Sequence, residues 1–481
     1  MSEIINASVQ QQIMKTSDIV TTNNNNTSNN FTPTQQSAFH DYLQGKNVFI
    51  TGSGGCGKSY FIQKVYQHAR DNDKDIRVTS MTGCSAVLLN CNATTIHKWG
   101  SIGLAKSEDQ DIYLKIIKMK KTANYINTEI LIIDEVSMLN EKVFNLLDYL
   151  CKRIRKCSHK PFGGIQLIMS GDFYQLPPVC KDKNILNEKN FCFQSELWNV
   201  TFDASYIFDV NFRQKDDDNY FKLLQEIREG NISLDSIEEL VKCSKKSIDD
   251  DKDGVVPTKL LPIKRVVDSI NNDEIKKIDA NAKRYTYMSK VQYKNTNLIN
   301  KTVDKKIQAE LDHFVQNSMF EEQLELCEGC QVMCITNLDQ EMKLVNGSQG
   351  KIIEFVYDRE NNKYYPMVKF DKIAEPIMIK EQRYILESNQ DYSVLQLPIV
   401  LSWAITIHKS QGLSLDKAYI DIGNNIFECG QTYVALSRVK TLEGLYIKSI
   451  NIKKIKANPI VVKFYRELRT RQNTFCLNSG E

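Results

Sequence analysis

The stretch from Val48 to Ser59 reads Val-Phe-Ile-Thr-Gly-Ser-Gly-Gly-Cys-Gly-Lys-Ser, an apolar run followed by the pattern Gly-x-x-x-x-Gly-Lys-Ser. Residues of these types at this spacing suit the binding of a nucleoside triphosphate. Gly52, Gly54, Gly55 and Gly57 let successive backbone N–H groups, that of Cys56 among them, turn toward one anion, which a Cβ would hinder. The sequence predicts a helix beginning near Lys58, whose positive dipole end would point at the phosphates. Lys58 can reach the β- and γ-phosphates, and the Ser59 hydroxyl can hold Mg²⁺.

A second chemical group is the pair Asp134-Glu135, directly after the apolar run Ile130-Leu131-Ile132-Ile133. Adjacent carboxylates at a strand end can divide two tasks. Asp134 can hold Mg²⁺, directly or through water, while Glu135 orients and deprotonates an attacking water. Gln175, in Gly171-Asp172-Phe173-Tyr174-Gln175-Leu176-Pro177-Pro178, could sense a γ-phosphate, although a bland loop explains that stretch equally well. Arg213 and Arg438 could deliver positive charge as negative charge develops, against the alternative of surface ion pairs. Thr95, His97, Lys98 and Trp99 form one patch, and His408, Lys409, Ser410 and Gln411 another. Hydroxyl, amide and cationic groups suit phosphate contacts, and aromatic rings suit base stacking. Trp99 is equally readable as a core residue, and Trp403, whose neighbours are apolar, reads more readily as one.

These groups need a scaffold. Ile76-Arg77-Val78-Thr79, Ile130 to Ile133 and Ile165 to Met169 read as further strands, separated by stretches with helical spacing such as Val143, Leu146, Leu147, Leu150 and Ile154. Strands that are apolar throughout, alternating with helices, imply a parallel sheet covered on both faces. Functional residues then belong at the carboxyl ends of the strands, where these motifs fall. Residues 1–30 are polar and end in an Asn-rich run, which reads as a disordered tail. Order should begin at Phe31, with Thr32 as an N-cap and Pro33 opening a helix over 33–44. A second unit begins near residue 206, changes to a β-rich character over 285–395, and resumes an αβ pattern from Leu397 to about 450.

Composition narrows the class. A hydrophobic share of 42% and a charged share of 25% over 481 residues describe a globular chain of several domains. The net charge of +3 gives no global positive field, so any nucleic-acid contact must come from local patches. No apolar run reaches membrane-spanning length, and residues 1–30 do not resemble a secretory or mitochondrial leader. Thirteen scattered cysteines suggest reduced thiols, in nucleus or cytoplasm, and Cys327-x-x-Cys330 lacks a second pair at zinc-site spacing.

Taken together the motifs resemble the Pif (petite integration frequency) family of superfamily 1B DNA helicases. The resemblance rests on Phe31 to Gln35, Gly52 to Ser59, Thr82-Gly83-Cys84-Ser85-Ala86, Thr95-Ile96-His97, Ile133 to Met138, Phe162 to Pro178, Asn211-Phe212-Arg213-Gln214, Leu401 to Gly412 and Gln431 to Arg438. Phe31, Thr34 and Cys56 stand where the family usually has Leu, Glu and Thr. The resemblance implies an α/β fold of two RecA-like P-loop domains with parallel sheets. The first would span 31–205, with a small wedge insertion near 96–125. The second would span 206–284 and 396–455, interrupted by an SH3-like insertion at 285–395 and followed by a C-terminal tail at 456–481. It implies ATP and Mg²⁺ as cofactors, with Gln35 on the adenine and Gly412 near the nucleotide. It also implies Thr82, Gly83 and the two patches on single-stranded DNA. The implied activity is 5′-to-3′ translocation with unwinding of duplex or forked DNA, by a monomer, in replication, repair or recombination, at a cellular or viral replication site. The rival reading is an ATP-switched DNA-binding protein that does not unwind. A small-molecule P-loop kinase is a third, disfavoured by the length and the distant arginines.

Overall fold

The computed structural model describes residues 31–103, 105–178, 190–214, 217–247, 256–293 and most of 308–478, so the Asn-rich stretch lies outside the described residues. The first unit is built on β1 (Val48–Gly52), β2 (Ile76–Ser80), β3 (Thr94–Thr95), β4 (Ile130–Asp134), β5 (Gln166–Gly171) and β6 (Ala204–Phe208). They form one parallel sheet in the order β3-β2-β4-β5-β1-β6. Strands in such a sheet must be apolar on both faces, and alternate residues do enter opposite cores. Val48 and Ile50, Ile130 and Ile132, and Ile168 join one apolar cluster. Phe49, Leu131 and Ile133, and Leu167 and Met169 join the other. The helix Lys58–Asp71 covers the first face with Phe61, Ile62, Val65 and Ala69. The helix Glu141–Arg155 covers the second, started by Asn140, whose side chain accepts the Val143 N–H at 2.8 Å. The expected opening helix is Pro33–Leu43, capped by Thr32.

The expected boundary at residue 205 is corrected. It cuts through β6, whose ladder with β1 closes that side of the first sheet. The second unit begins beyond Phe208 and contains β7 (Thr258–Leu261). An antiparallel insertion follows, with β8 (Arg284–Met288), β9 (Lys290–Tyr293), β10 (Gln323–Cys327), β11 (Gln331–Cys334), β12 (Gln349–Asp358) and β13 (Lys363–Phe370). It continues through β14 (Ile377–Met378), β15 (Gln382–Ile385), β16 (Tyr392–Gln396) and β17 (Ile399–Leu401). Because β17 pairs with β11, the insertion extends to Leu401 rather than ending at 395. Trp403 packs in its core as well, so of its two readings the apolar one holds. The chain then returns as β18 (Ala404–Thr406), β19 (Ala418–Ile422) and β20 (Leu445–Ile450), giving a parallel sheet in the order β18-β7-β19-β20.

The expected tail at 456–481 is also corrected. Pro459–Asn478 is a helix, and it packs on the first unit, where Val461, Tyr465 and Leu468 join the cluster of Phe49 and Trp198. Among the described residues no helix is long and apolar enough to cross a membrane.

Candidate nucleotide site and strand-facing residues

The phosphate loop connects β1 to the helix Lys58–Asp71. Gly55 and Gly57 have φ of 90° and 85°, and a Cβ would sit 2.5 Å from the Arg213 Cβ at the first and 2.7 Å from the Gln35 Nε2 at the second. Only glycine satisfies both the conformation and the space. Lys58 Nζ donates to the carbonyls of Gly52 and Ser53 at 2.8 and 2.9 Å, which holds the ammonium at the loop. Ser59 is exposed at the start of the helix.

Asp134 ends β4 and is buried, and Glu135 follows in the left-handed region at φ 55°, ψ 42°. A non-glycine residue in that region stores strain, as functional residues often do. Burial pushes both carboxyls above their usual range. For Glu135, burial and the neighbouring Asp134 charge bring the value to about 7, against the opposing pull of Lys58 and Arg438. Gln411 comes from the second unit and its Nε2 donates to Glu135 Oε2 at 3.2 Å and to Gln175 Oε1 at 3.4 Å. The three side chains therefore form a bridge across the cleft.

The two arginines also cross it. An ideal Cβ at Gly54 would lie 3.5 Å from Arg213 Nη1 and 3.5 Å from Arg438 Nη2. Arg213 Nη1 donates to the Ser437 carbonyl at 2.9 Å, and Arg438 Nε to the Val434 carbonyl at 2.9 Å. Burial and then the adjacent Arg213 lower Arg438 to about 9. Two like charges facing one loop, Arg438 buried and Arg213 partly so, are relieved by an anion placed between them. Tyr433, not singled out from the sequence, donates no ring to this site but accepts the Gly54 N–H through its hydroxyl at 2.8 Å.

At the far end of the loop, Thr32 N donates to Gln35 Oε1 at 3.0 Å, while Gln35 Nε2 is buried without a hydrogen-bond partner. An unpaired buried donor beside Gly57 and the Phe212 ring fits the edge of a purine. The cradle, the cations and this orphaned amide together fit ATP. Asp134 and Ser59 are the oxygen donors suited to Mg²⁺.

The strand-facing assignments fare less uniformly. Trp99 is buried, its indole N–H donates to Thr128 Oγ1 at 3.3 Å, and its ring packs 4.9 Å from Tyr125, so it is a core residue with no face for a base. Ser410 is fully buried and its hydroxyl donates to the Ile407 carbonyl at 2.8 Å, closing a turn. Gln411 sits in the nucleotide cleft, as described. Gly412, expected at the nucleotide, follows Gln411 and abuts the helix Gly83–Leu88, where a Cβ would lie 2.6 Å from Leu88 Cδ1. Thr82 and Thr95 accept the N–H groups of Ser85 and Lys98 and so cap short helices. Gly83 opens the first of these, and a Cβ there would meet nothing within 4 Å. His97, Lys98 and Lys409 are partly exposed. His408 is half-buried and stacks on Phe427, which is 62% exposed, and burial lowers its pKa.

Comparison with known proteins gives this geometry its context. The PIF1-like helicase family model matches residues 30–238, and the model for the 2B domain of DNA helicase Pif1 matches residues 311–355. The crystal structure of Pif1 helicase from Candida albicans superposes with a TM-score of 0.74 at 32% identity, covering 91% of this chain and 99% of that one. The chain belongs to the Pif1 helicase family. Its two parallel sheets are accordingly RecA-like, and its antiparallel strands are an insertion into the second unit. The Xenopus laevis ATP-dependent DNA helicase PIF1 is 32% identical over 443 residues, which is 91% of this chain but 64% of the frog protein. An uncharacterized protein of Invertebrate iridescent virus 6 is 31% identical and is covered over 94% of its length. The chain thus spans a little under two thirds of the frog relative and nearly all of the viral one. Where the Pif1 pattern usually has Thr, Cys56 is buried, 1% exposed, and its sulfur accepts from Lys58 Nζ at 3.5 Å.

Proposed function

We propose that this Pif1-family chain is an ATP-dependent DNA helicase that translocates 5′ to 3′ on single-stranded DNA and unwinds duplex or forked DNA ahead of it. The observation that carries the reading is the meeting of Arg213, Arg438 and Gln411, brought from beyond the first unit, with Gly54 and Glu135 of the phosphate-binding unit. Catalytic charge supplied across a cleft makes hydrolysis depend on closure, and alternating closure and opening moves a strand held by both units. In this reading Lys58 binds the β- and γ-phosphates, Ser59 and Asp134 hold Mg²⁺, and Gln35 contacts the adenine. The bound Mg²⁺ would neutralise developing phosphate charge. Glu135 takes a proton from the attacking water, Gln175 faces the γ-phosphate, and the two arginines stabilise the leaving charge. On the DNA side, Thr82, Gly83, Thr95, His97, Lys98, His408 and Lys409 remain the proposed strand contacts, with the His408–Phe427 stack replacing Trp99 as the aromatic surface. The protein would act as a monomer, in replication, repair or recombination, in nucleus or cytoplasm or at a viral replication site, to which the viral relative lends support.

Two partial duplexes test this, one with a 5′ single-stranded tail and one with a 3′ tail, each incubated with protein, ATP and Mg²⁺. Opening of the 5′-tailed duplex alone is expected. Opening from the 3′ tail would reverse the polarity. DNA-stimulated hydrolysis with neither duplex opened would favour an ATP-switched binding protein.

A further inference from the structure

Asp172 is fully buried, and its carboxylate is met from two elements outside its own sheet. Arg228, in the helix Asp218–Glu229 of the second unit, donates through Nε to Oδ2 and through Nη2 to Oδ1, each at 2.9 Å. Tyr465, in the C-terminal helix, lies 3.3 Å from Oδ1. The phenol has one proton, and an ionised carboxylate only accepts, so that proton belongs to Asp172. The Tyr465 oxygen then accepts from the Phe173 N–H at 3.1 Å and from the Thr51 hydroxyl at 2.5 Å. Thr51 immediately precedes Gly52 of the phosphate loop. Tyr174 stacks on Tyr465 at 4.6 Å, and the Arg228 guanidinium lies 4.5 Å from the Tyr174 ring centre.

The same aspartate shapes the turn that carries Gln175. Its carboxylate accepts the Tyr174 N–H at 3.2 Å, and its carbonyl accepts the Gln175 N–H at 2.9 Å. Gln175 Oε1 in turn meets Gln411 in the cleft. A buried ion pair is a poor device for stability alone, because apolar packing of the same volume does as well. A bidentate guanidinium–carboxylate pair does fix direction, since two parallel hydrogen bonds leave one geometry.

We propose that Tyr465 and Arg228 are positioning residues that hold the Asp172 turn so that Gln175 faces the γ-phosphate end of the cleft. The C-terminal helix is thereby part of the hydrolytic machinery, acting on Gln175 through Asp172. The inference rests on the ATP-hydrolysing reading above.

The test is a cycle of full-length variants: Tyr465→Phe, Arg228→Lys, Gln175→Ala and the doubles with Gln175→Ala. DNA-stimulated ATP turnover is measured as kcat and KM, with thermal midpoints alongside. Tyr465→Phe is expected to lower kcat about tenfold, the rate equivalent of one hydrogen bond to a charged group, with KM for ATP unchanged. Arg228→Lys keeps the charge but loses the fork, and it should lower kcat in the same way. In the Gln175→Ala background each change should cost less than about twofold, because its effect passes through Gln175. A purely structural strut would cost the same in both backgrounds, and that result would overturn the inference. So would unchanged kcat in both single variants. A wild-type protein without DNA-stimulated turnover would overturn the underlying reading as well, and is recognisable because no variant is needed to see it.

Discussion

Glu135 couples an unusual backbone to a perturbed carboxyl. Its left-handed φ turns the side chain back toward the cleft, where burial and Asp134 raise its pKa to about 7. Glu135→Gln keeps the shape and the local strain but removes the proton acceptor. Turnover is expected to fall about 10³-fold, within the usual range for a lost general base, while a fluorescent ATP analogue still binds. Loss of binding in step with turnover would mean that Glu135 serves the ground state instead. Gln411 gives a sharper contrast between sequence and structure. Because its amide bridges Glu135 and Gln175, Gln411→Ala should lower kcat about tenfold, the scale of lost hydrogen bonds to a charged group, and leave single-stranded DNA affinity unchanged in an anisotropy titration. A fall in DNA affinity with kcat intact would restore the strand-facing role. The phosphate loop was legible in the sequence because closely spaced glycines, a lysine and a serine state its geometry locally. Trp99, Ser410 and Gln411 were not, because an indole, a hydroxyl or an amide serves a core, a turn or a ligand equally well. The setting of Gln411 is decided by Glu135 and that of Trp99 by Thr128 and Tyr125, in each case outside the local stretch, while Ser410 closes a local turn on Ile407.

At the scale of elements, the four inner strands of the first sheet, β1, β2, β4 and β5, were readable as apolar runs, since both faces are covered and nearly every residue is buried. The edges of units were less so. β6 and β17 each complete a sheet begun by distant strands, and no local pattern announces such a pairing. The helix Pro459–Asn478 did carry a signal: a proline at its first position and Val461, Tyr465 and Leu468 at helical spacing. The charged residues among them, and the end of the αβ pattern before them, gave the stretch the look of a tail. Phe464 on this helix lies 4.2 Å from Phe193 and 5.4 Å from Phe173, ring centre to ring centre. Phe464 is partly buried, so Phe464→Ala should destabilise the protein by about 2 kcal/mol, below the cost at a fully buried site, read as a shift of the urea midpoint at unchanged slope. A loss below about 1 kcal/mol, the scale of an ordinary surface substitution, would mean that the helix is held only loosely.

At the scale of the molecule, the contacts between the two RecA-like units include the arginines at Gly54, the Tyr433 hydroxyl on the Gly54 N–H, the Gln411 bridge, and the Asp172–Arg228 pair. The net charge of +3 supplies no strong long-range field toward a strand that could substitute for them. In the proposed function, coupling between nucleotide and DNA runs through the closure that these contacts define. Linkage requires that the factor by which a non-hydrolysable ATP analogue changes single-stranded DNA affinity equal the factor by which DNA changes analogue affinity. For the wild type that factor should be about tenfold in either direction of measurement, the middle of the range for coupled sites. Arg213→Ala and Arg438→Ala remove the groups that respond to the γ-phosphate from the second unit, while Lys58 and the loop still bind the analogue. Each should bring the factor to about one with analogue binding retained, because a ligand that favours neither closed nor open state shifts nothing. If the factor survives in both variants, closure is driven from the first unit alone, and the arginines serve only the chemical step.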